Sequence, residues 1–267
     1  MTALVRTADE LSAVLGATSR INLVPTMGAL HNGHLSLVRA ARAAGRLVVV
    51  SIFVNPLHFA AGEDLDAYPR TLDADIELLG AEGVDAVFAP SVSTMYPQGP
   101  RTTIHPGTAG TILEGASRPT HFAGVLTVVA KLFNLTRATD AYFGEKDYQQ
   151  LVLIRHMIED LNLPVRVHGC PIVREDSGLA MSSRNRYLSA EQALTAEVLS
   201  RALATRDITK ARALLDASPD VDLEYLALTT PELTEIPAGY RGPARLLVAA
   251  RVGTTRLIDN TAVEIGG

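Results

Sequence analysis

Residues 21–54 read INLVPTMGALHNGHLSLVRAARAAGRLVVVSIFV, and the order of patterns along this stretch decides the fold. Residues 21–25 are short, apolar and closed by a proline, which predicts a strand. From residue 34 to 44 the spacing turns helical, with Leu35, Val38 and Ala41 on one face. Residues 47–54 are again apolar and rich in β-branched side chains, without polar alternation. Such a run predicts a strand covered on both faces, as in a parallel sheet entered by a right-handed strand–helix–strand crossover.

The same alternation continues outward from this unit. The pattern predicts a helix over 72–81, a strand over 85–89, a helix over 125–135, a strand over 141–143, a helix over 148–161 and a strand over 165–173. Together these make an α/β fold with a doubly wound, Rossmann-like parallel sheet. Upstream, residues 1–16 read as an amphipathic helix, with Thr7 and Glu10 in capping-box spacing and a stop near Gly16. The grammar changes after about residue 174. Ser189 and Gln192 cap a further helix, a shorter one follows near Lys210, and 225–228, 245–251 and 256–260 read as strands, the last two joined by a hairpin at Gly253-Thr254. The expected organisation is an α/β domain over 1–173 and a smaller C-terminal α+β domain over 174–267.

Composition narrows the function classes. The 267 residues are 47% hydrophobic and 20% charged with a net charge of −5, and their Lys and Arg are scattered singly. A nucleic-acid partner, which needs clustered cations to displace phosphate counterions, is not expected. The longest strongly apolar stretch, 47–54, is far below the roughly 20 residues of a membrane-spanning helix, and no signal peptide is apparent, so no membrane association is expected. Cys170 is the sole cysteine, which fits a reducing cytoplasm.

Ligands of doubly wound sheets bind beyond the carboxyl ends of the strands, and the unusual residues of this chain follow Pro25, Val54 and Phe143. Pro25-Thr26-Met27-Gly28-Ala29-Leu30-His31-Asn32-Gly33-His34 joins the first predicted strand of the sheet to its helix. A helix N-terminus offers N–H groups to an anion, Gly28 and Gly33 allow close backbone approach, and two imidazoles can donate to phosphate oxygens. The alternatives are a plain connection with incidental surface histidines, or a metal-binding pair. Lys146, between Glu145 and Asp147, follows an apolar strand and so favours phosphate over a solvated charge cluster. Gln150 lies one helical turn beyond Lys146 on the same side.

These segments resemble the pantoate–β-alanine ligase family, a branch of the His-x-Gly-His nucleotidyl-transferring enzymes. Besides residues 24–37, the resemblance rests on Ser51-Ile52-Phe53-Val54-Asn55-Pro56, Tyr68-Pro69-Arg70, Thr120-His121-Phe122-Ala123-Gly124-Val125, Phe143-Gly144-Glu145-Lys146-Asp147-Tyr148-Gln149-Gln150 and Met181-Ser182-Ser183-Arg184-Asn185-Arg186-Tyr187-Leu188. It implies ATP-dependent condensation of pantoate with β-alanine through a pantoyl-adenylate, releasing AMP and pyrophosphate, with Mg2+ accompanying ATP, and a homodimer. It also implies catalytic roles for His31, His34, Lys146 and Arg184. ATP contacts fall on Met27, Gly28, His31, His34, Gly144, Lys146, Asp147, Val173, Met181, Ser182, Ser183 and Arg184, the last three closing over the triphosphate from the C-terminal domain as a lid. Pantoate contacts fall on Pro25, Thr26, Met27, Asn55, His58 and Gln150. The resemblance places magnesium-associated carboxylates at Asp73 and Asp75, with Asp75 the candidate metal contact, but Ala74 interrupts the acidic run, and acids on a helix surface are the reading the residues themselves favour.

The chain departs from the family pattern at His58, where glutamine is expected. An unperturbed imidazole titrates near pH ~6.5, so protonation here is expected to strengthen a contact with anionic pantoate as pH falls. Two other readings compete: a different adenylyl- or cytidylyltransferase sharing the histidine cradle, and a catalytically silent nucleotide-binding module.

Overall fold

The structure, a computed structural model, describes residues 2–59, 65 and 68–266. The chain packs as two units, one formed by residues 1–145 and 149–170 and the other by 146–148 and 171–267.

The first unit runs β1 (Ala3–Val5), α1 (Ala8–Leu15), β2 (Ile21–Thr26), α2 (Asn32–Ala43), β3 (Leu47–Ile52), α3 (Leu72–Ala81), β4 (Ala86–Phe88), α4 (Val92–Met95), α5 (Glu114–Ser117), α6 (His121–Thr136), β5 (Asp140–Gly144), α7 (Tyr148–Asp160) and β6 (Arg166–Cys170). The first residue of α7 belongs to the second unit. The six strands lie in the order β1-β4-β3-β2-β5-β6, and every pairing is parallel. Side chains alternate between faces, as a pleated strand requires. Ile21, Leu23, Val49, Phe88 and Phe143 join α1, α6 and α7 in one core layer. Val24, Val48, Val50 and Val87 join α2 and Leu79 of α3 in the other.

The N-terminal segment corrects the expectation of a helix over 1–16. Thr7 does cap a helix, and its capping box with Glu10 is complete, but Ala3–Val5 is a strand in parallel register with β4. Three residues are too few to show a period, and their partner lies more than 80 residues away, so nothing local announces the pairing.

In the second unit, α8 (Ala190–Ala204) and α9 (Ile208–Asp216) cover one face of an antiparallel sheet of β7 (Val221–Thr229), β8 (Gly242–Val252) and β9 (Thr255–Ile265). The β8–β9 pairing runs from Gly242↔Ile265 to Val252↔Thr255, which places the hairpin at Gly253-Thr254. Leu246, Val248, Ala250 and Val252 face the helices. Arg245, Leu247 and Ala249 therefore face the opposite side, and Leu247 pairs with Asn260.

Candidate active site

Beyond β2 the chain turns through two consecutive left-handed residues, Gly28 at φ 83° and Ala29 at φ 51°. A side chain at Gly28 would be both strained at this φ and crowded, since a Cβ would stand 3.1 Å from Asp75 Oδ2 and from Ile52 Cγ2. The carboxylate of Asp75, reaching in from α3, holds this turn: Oδ2 accepts from the Ala29 amide at 3.0 Å and Oδ1 from the Leu30 amide at 2.9 Å. Thr71 Oγ1 adds a third donor at 3.1 Å. Thr26 Oγ1 completes the frame, accepting from Gly28 N–H and donating to the Ser51 carbonyl at 2.8 Å.

The turn delivers His31 to the N-cap of α2, where the two histidines form a reciprocal cap. His31 Nδ1 accepts from Gly33 N–H at 3.1 Å, and His34 Nδ1 accepts from His31 N–H at 3.3 Å. The rings sit 4.1 Å apart between centroids. This fixes the chemistry of both imidazoles. With each Nδ1 used as an acceptor, the neutral ring carries its proton on Nε2, so both histidines present an N–H donor at the amino end of a helix.

The chain order reverses between β2 and β5, which are neighbours in the sheet. Their carboxyl ends carry the histidine turn and Gly144, at the switch point where doubly wound sheets bind ligands. Gly144 borders open space, since a Cβ there would meet nothing within 4 Å. Gln149, absent from the expected site, is buried, donates to the Ala109 and Ile112 carbonyls and accepts from Glu114 N–H. Its neighbour Gln150 stays partly exposed.

In the second unit, Lys146 is partly exposed and Asp147 exposed in a 3-10 turn, Glu145–Asp147. Met181 N–H bonds the Val173 carbonyl at 3.0 Å, aligning these two expected ATP contacts. Ser182 then caps the turn Ser183–Tyr187, its hydroxyl accepting from Arg184 N–H at 3.2 Å.

A profile of the family described as Pantoate-beta-alanine ligase matches residues 3–262. The chain belongs to this family. It is 61% identical over 264 residues to the pantothenate synthetase of Nocardia farcinica, covering 95% of this chain and 82% of that one. The crystal structure of pantothenate synthetase from Thermus thermophilus superposes with a TM-score of 0.93 at 46% identity, covering 97% of this chain and 99% of that one. A pantoate-β-alanine ligase from Francisella tularensis, crystallised with β-γ ATP and β-alanine, gives 0.83 at 34% identity, with 98% and 97% covered.

Within this pantoate–β-alanine ligase, the fold gives three of the expected site residues particular surroundings of their own. Asp75, expected beside magnesium, is 2% exposed with both oxygens engaged by N–H donors, so it anchors the histidine turn. Asn55, expected against pantoate, is fully buried: Nδ2 donates to the Gly124 carbonyl, and Oδ1 accepts from Leu57 N–H and Tyr96 Oη. Burial pushes the Tyr96 phenol up to about 12, partly offset by that bond, so it remains a neutral donor. Asn55 thus shapes the segment bearing His58 against α6, where a Cβ on Gly124 would fall 2.1 Å from the Leu57 carbonyl oxygen.

The third residue is His58. Its Nε2 is buried without a hydrogen-bond partner, while its carbonyl accepts from Arg118 and lies 3.0 Å from His121 Nδ1. Burial first, then the neighbouring His121 and Arg118, hold its pKa well below the ordinary value. These surroundings move its titration below the neutral range, so KM profiles for pantoate in the parent and His58→Gln proteins should coincide between about pH 6 and 8. A His58-dependent inflection in that window would contradict the burial. The native ring stays neutral where the unfolded chain takes up a proton, so its contribution to stability falls as pH drops below ~6.5.

A cavity of about 460 Å3 opens beside the histidine turn, walled by Met27, Gly28, Ile52, Val54 and Asp75, with Arg6 and Arg70 also lining it. Its size suits a small metabolite. Of the expected pantoate residues only Met27 lines it.

Proposed function

We infer that the protein condenses pantoate with β-alanine to pantothenate, using ATP to form a pantoyl-adenylate. The observation that carries this is the reciprocal histidine cap at the switch point of a chain matching the ligase family over residues 3–262. A carboxylate is a poor acyl donor, and joining it to AMP supplies a leaving group. A pantoate carboxylate oxygen attacks the α-phosphorus and pyrophosphate departs. The β-alanine amine then attacks the acyl carbon, and AMP leaves with that oxygen while the amine proton passes to solvent.

Little covalent work falls to the protein, whose contribution is alignment and neutralisation of charge on the transferring phosphoryl group. The Nε2–H groups of His31 and His34 and the ammonium of Lys146 are assigned to phosphate oxygens, with Ser182, Ser183 and Arg184 at the triphosphate and Asp147 at the ribose. Met27, Gly28, Gly144, Val173 and Met181 are assigned to the remaining ATP contacts. Pro25, Thr26, Met27, His58 and Gln150 are assigned to pantoate.

Mg2+ is proposed to travel with ATP. Magnesium usually retains waters and takes substrate phosphates as ligands, so its binding need not depend on a dedicated cluster of protein carboxylates. No helix among the described residues is long and apolar enough to cross a membrane. A cytoplasmic location and a homodimer are proposed from the family resemblance, and sedimentation would test the second.

The test of mechanism is isotopic. Pantoate labelled in its carboxylate oxygens should pass the heavy oxygen isotope to AMP when β-alanine is supplied. Label in inorganic phosphate would mean an acyl phosphate, and no pantoate-dependent pyrophosphate release would remove the ligase reading.

A further inference from the structure

We propose that Asn260, oriented by Arg245, is a positioning residue for Lys146. This rests on the assignment of Lys146 to the ATP phosphates. The turn carrying Lys146 follows a strand of the first unit, yet residues 146–148 pack with the second. Asn260 Nδ2 donates to the Lys146 carbonyl at 2.9 Å, and Asn260 Oδ1 accepts from Arg245 Nε at 2.7 Å. The Arg245 guanidinium lies 4.1 Å above the centroid of the Tyr148 ring, and Tyr148 Oη donates to the Pro231 carbonyl at 3.1 Å. Residues on both sides of Asp147 are thus held from the β8–β9 hairpin.

The clamp is itself rigid. Asn260 is 2% exposed and Arg245 8%. On the preceding residue of β9, Asp259 takes a bidentate bond from Arg174 at 2.6 and 3.0 Å and accepts from Asn260 N–H at 2.7 Å. Arg245 Nε is a donor and so requires the amide oxygen, which turns the amide nitrogen of Asn260 toward Lys146. A donor on the Lys146 carbonyl fixes the peptide plane and hence the direction in which the lysine side chain leaves the turn. A positioned cation is worth more in transfer than one that must be ordered as charge develops.

Asn260→Asp separates this role from packing. The replacement is nearly isosteric and its carboxylate accepts from Arg245 more strongly, but it has no donor for the Lys146 carbonyl. The measurement is pantoate-dependent exchange of pyrophosphate into ATP in wild type, Asn260→Asp, Lys146→Ala and the double variant. The exchange rate at saturating pantoate should fall about tenfold to a hundredfold in Asn260→Asp. KM for pantoate should stay within about twofold, because the lost interaction belongs to transfer. The melting temperature should stay near that of wild type. Added to Lys146→Ala, the substitution should cost nothing further, as expected of residues acting as one. Wild-type exchange in Asn260→Asp overturns the proposal, and so does an undiminished loss in the Lys146→Ala background. Full exchange in Lys146→Ala alone would instead overturn the phosphate role of the lysine. If Asn260→Asp fails to fold, Arg245→Met leaves the amide in place but unoriented and must show a smaller loss, likewise absent without Lys146.

Discussion

Replacing His34 with glutamine should leave the protein as stable as wild type while lowering pantoate-dependent pyrophosphate release by about two to three powers of ten. Glutamine is a standard residue at the third position of a capping box, so its amide oxygen can accept the His31 N–H in place of Nδ1. The cap survives, and what disappears is the Nε2–H donor. His34→Ala removes both and should add a loss of about 1 kcal/mol in stability, the usual worth of a helix cap. Lys146→Ala should match His34→Gln in rate without the stability loss. Comparable turnover in wild type and His34→Gln would mean that the imidazole serves the helix alone. Urea unfolding, run beside the rate assay, separates the two roles.

Asp75→Asn should destabilise the protein by about 3 kcal/mol, since a charge-assisted hydrogen bond contributes roughly 1.5–3 kcal/mol and a buried unmatched donor costs as much again. One oxygen can still accept, but an NH2 group now faces either the Ala29 or the Leu30 amide, donor against donor. The left-handed turn at Gly28-Ala29 loses its anchor, so adenylate formation should fall with stability. The response to magnesium decides the role. A carboxylate that binds the ion would be compensated by raising Mg2+, whereas an anchor for backbone amides would not. Rescue by excess Mg2+ would return Asp75 to the metal.

The reach of the sequence can be traced residue by residue. The helix expected over 72–81 is α3 to the residue, and the capping boxes of Thr7 and Ser189 are complete, because caps and helical periods are written within a few positions. Asp75 was legible as an acid in a first helical turn and, by resemblance, as a magnesium carboxylate; its hold on the histidine turn was not, because its partners are backbone amides 46 and 45 residues away, and amides have no letter of their own. Asn55 looked available for a ligand because its partners, the Gly124 carbonyl and the Tyr96 hydroxyl, come from elsewhere in the chain. The suppressed basicity of His58 needed burial and two neighbours, Arg118 and His121, none of which follows from replacing glutamine by histidine. The Tyr68-Pro69-Arg70 block lies partly beside residues 60–64, 66 and 67, which are outside the described residues.

The hold of the β8–β9 hairpin on residues 146–148 bears on how such a gene could be shuffled. Residue 170 looks like a natural seam, since a strand ends there and the second unit's main span begins. Exchanging everything downstream for the corresponding piece of a distant relative would nevertheless replace the side chains that grip the Lys146 carbonyl and the Tyr148 ring, although both residues lie upstream of the join. The lysine is inherited with one half and its support with the other. Chimeras cut at this seam should therefore fold more readily than they turn over, and variation at Lys146–Tyr148 should be constrained by variation at Arg245 and Asn260.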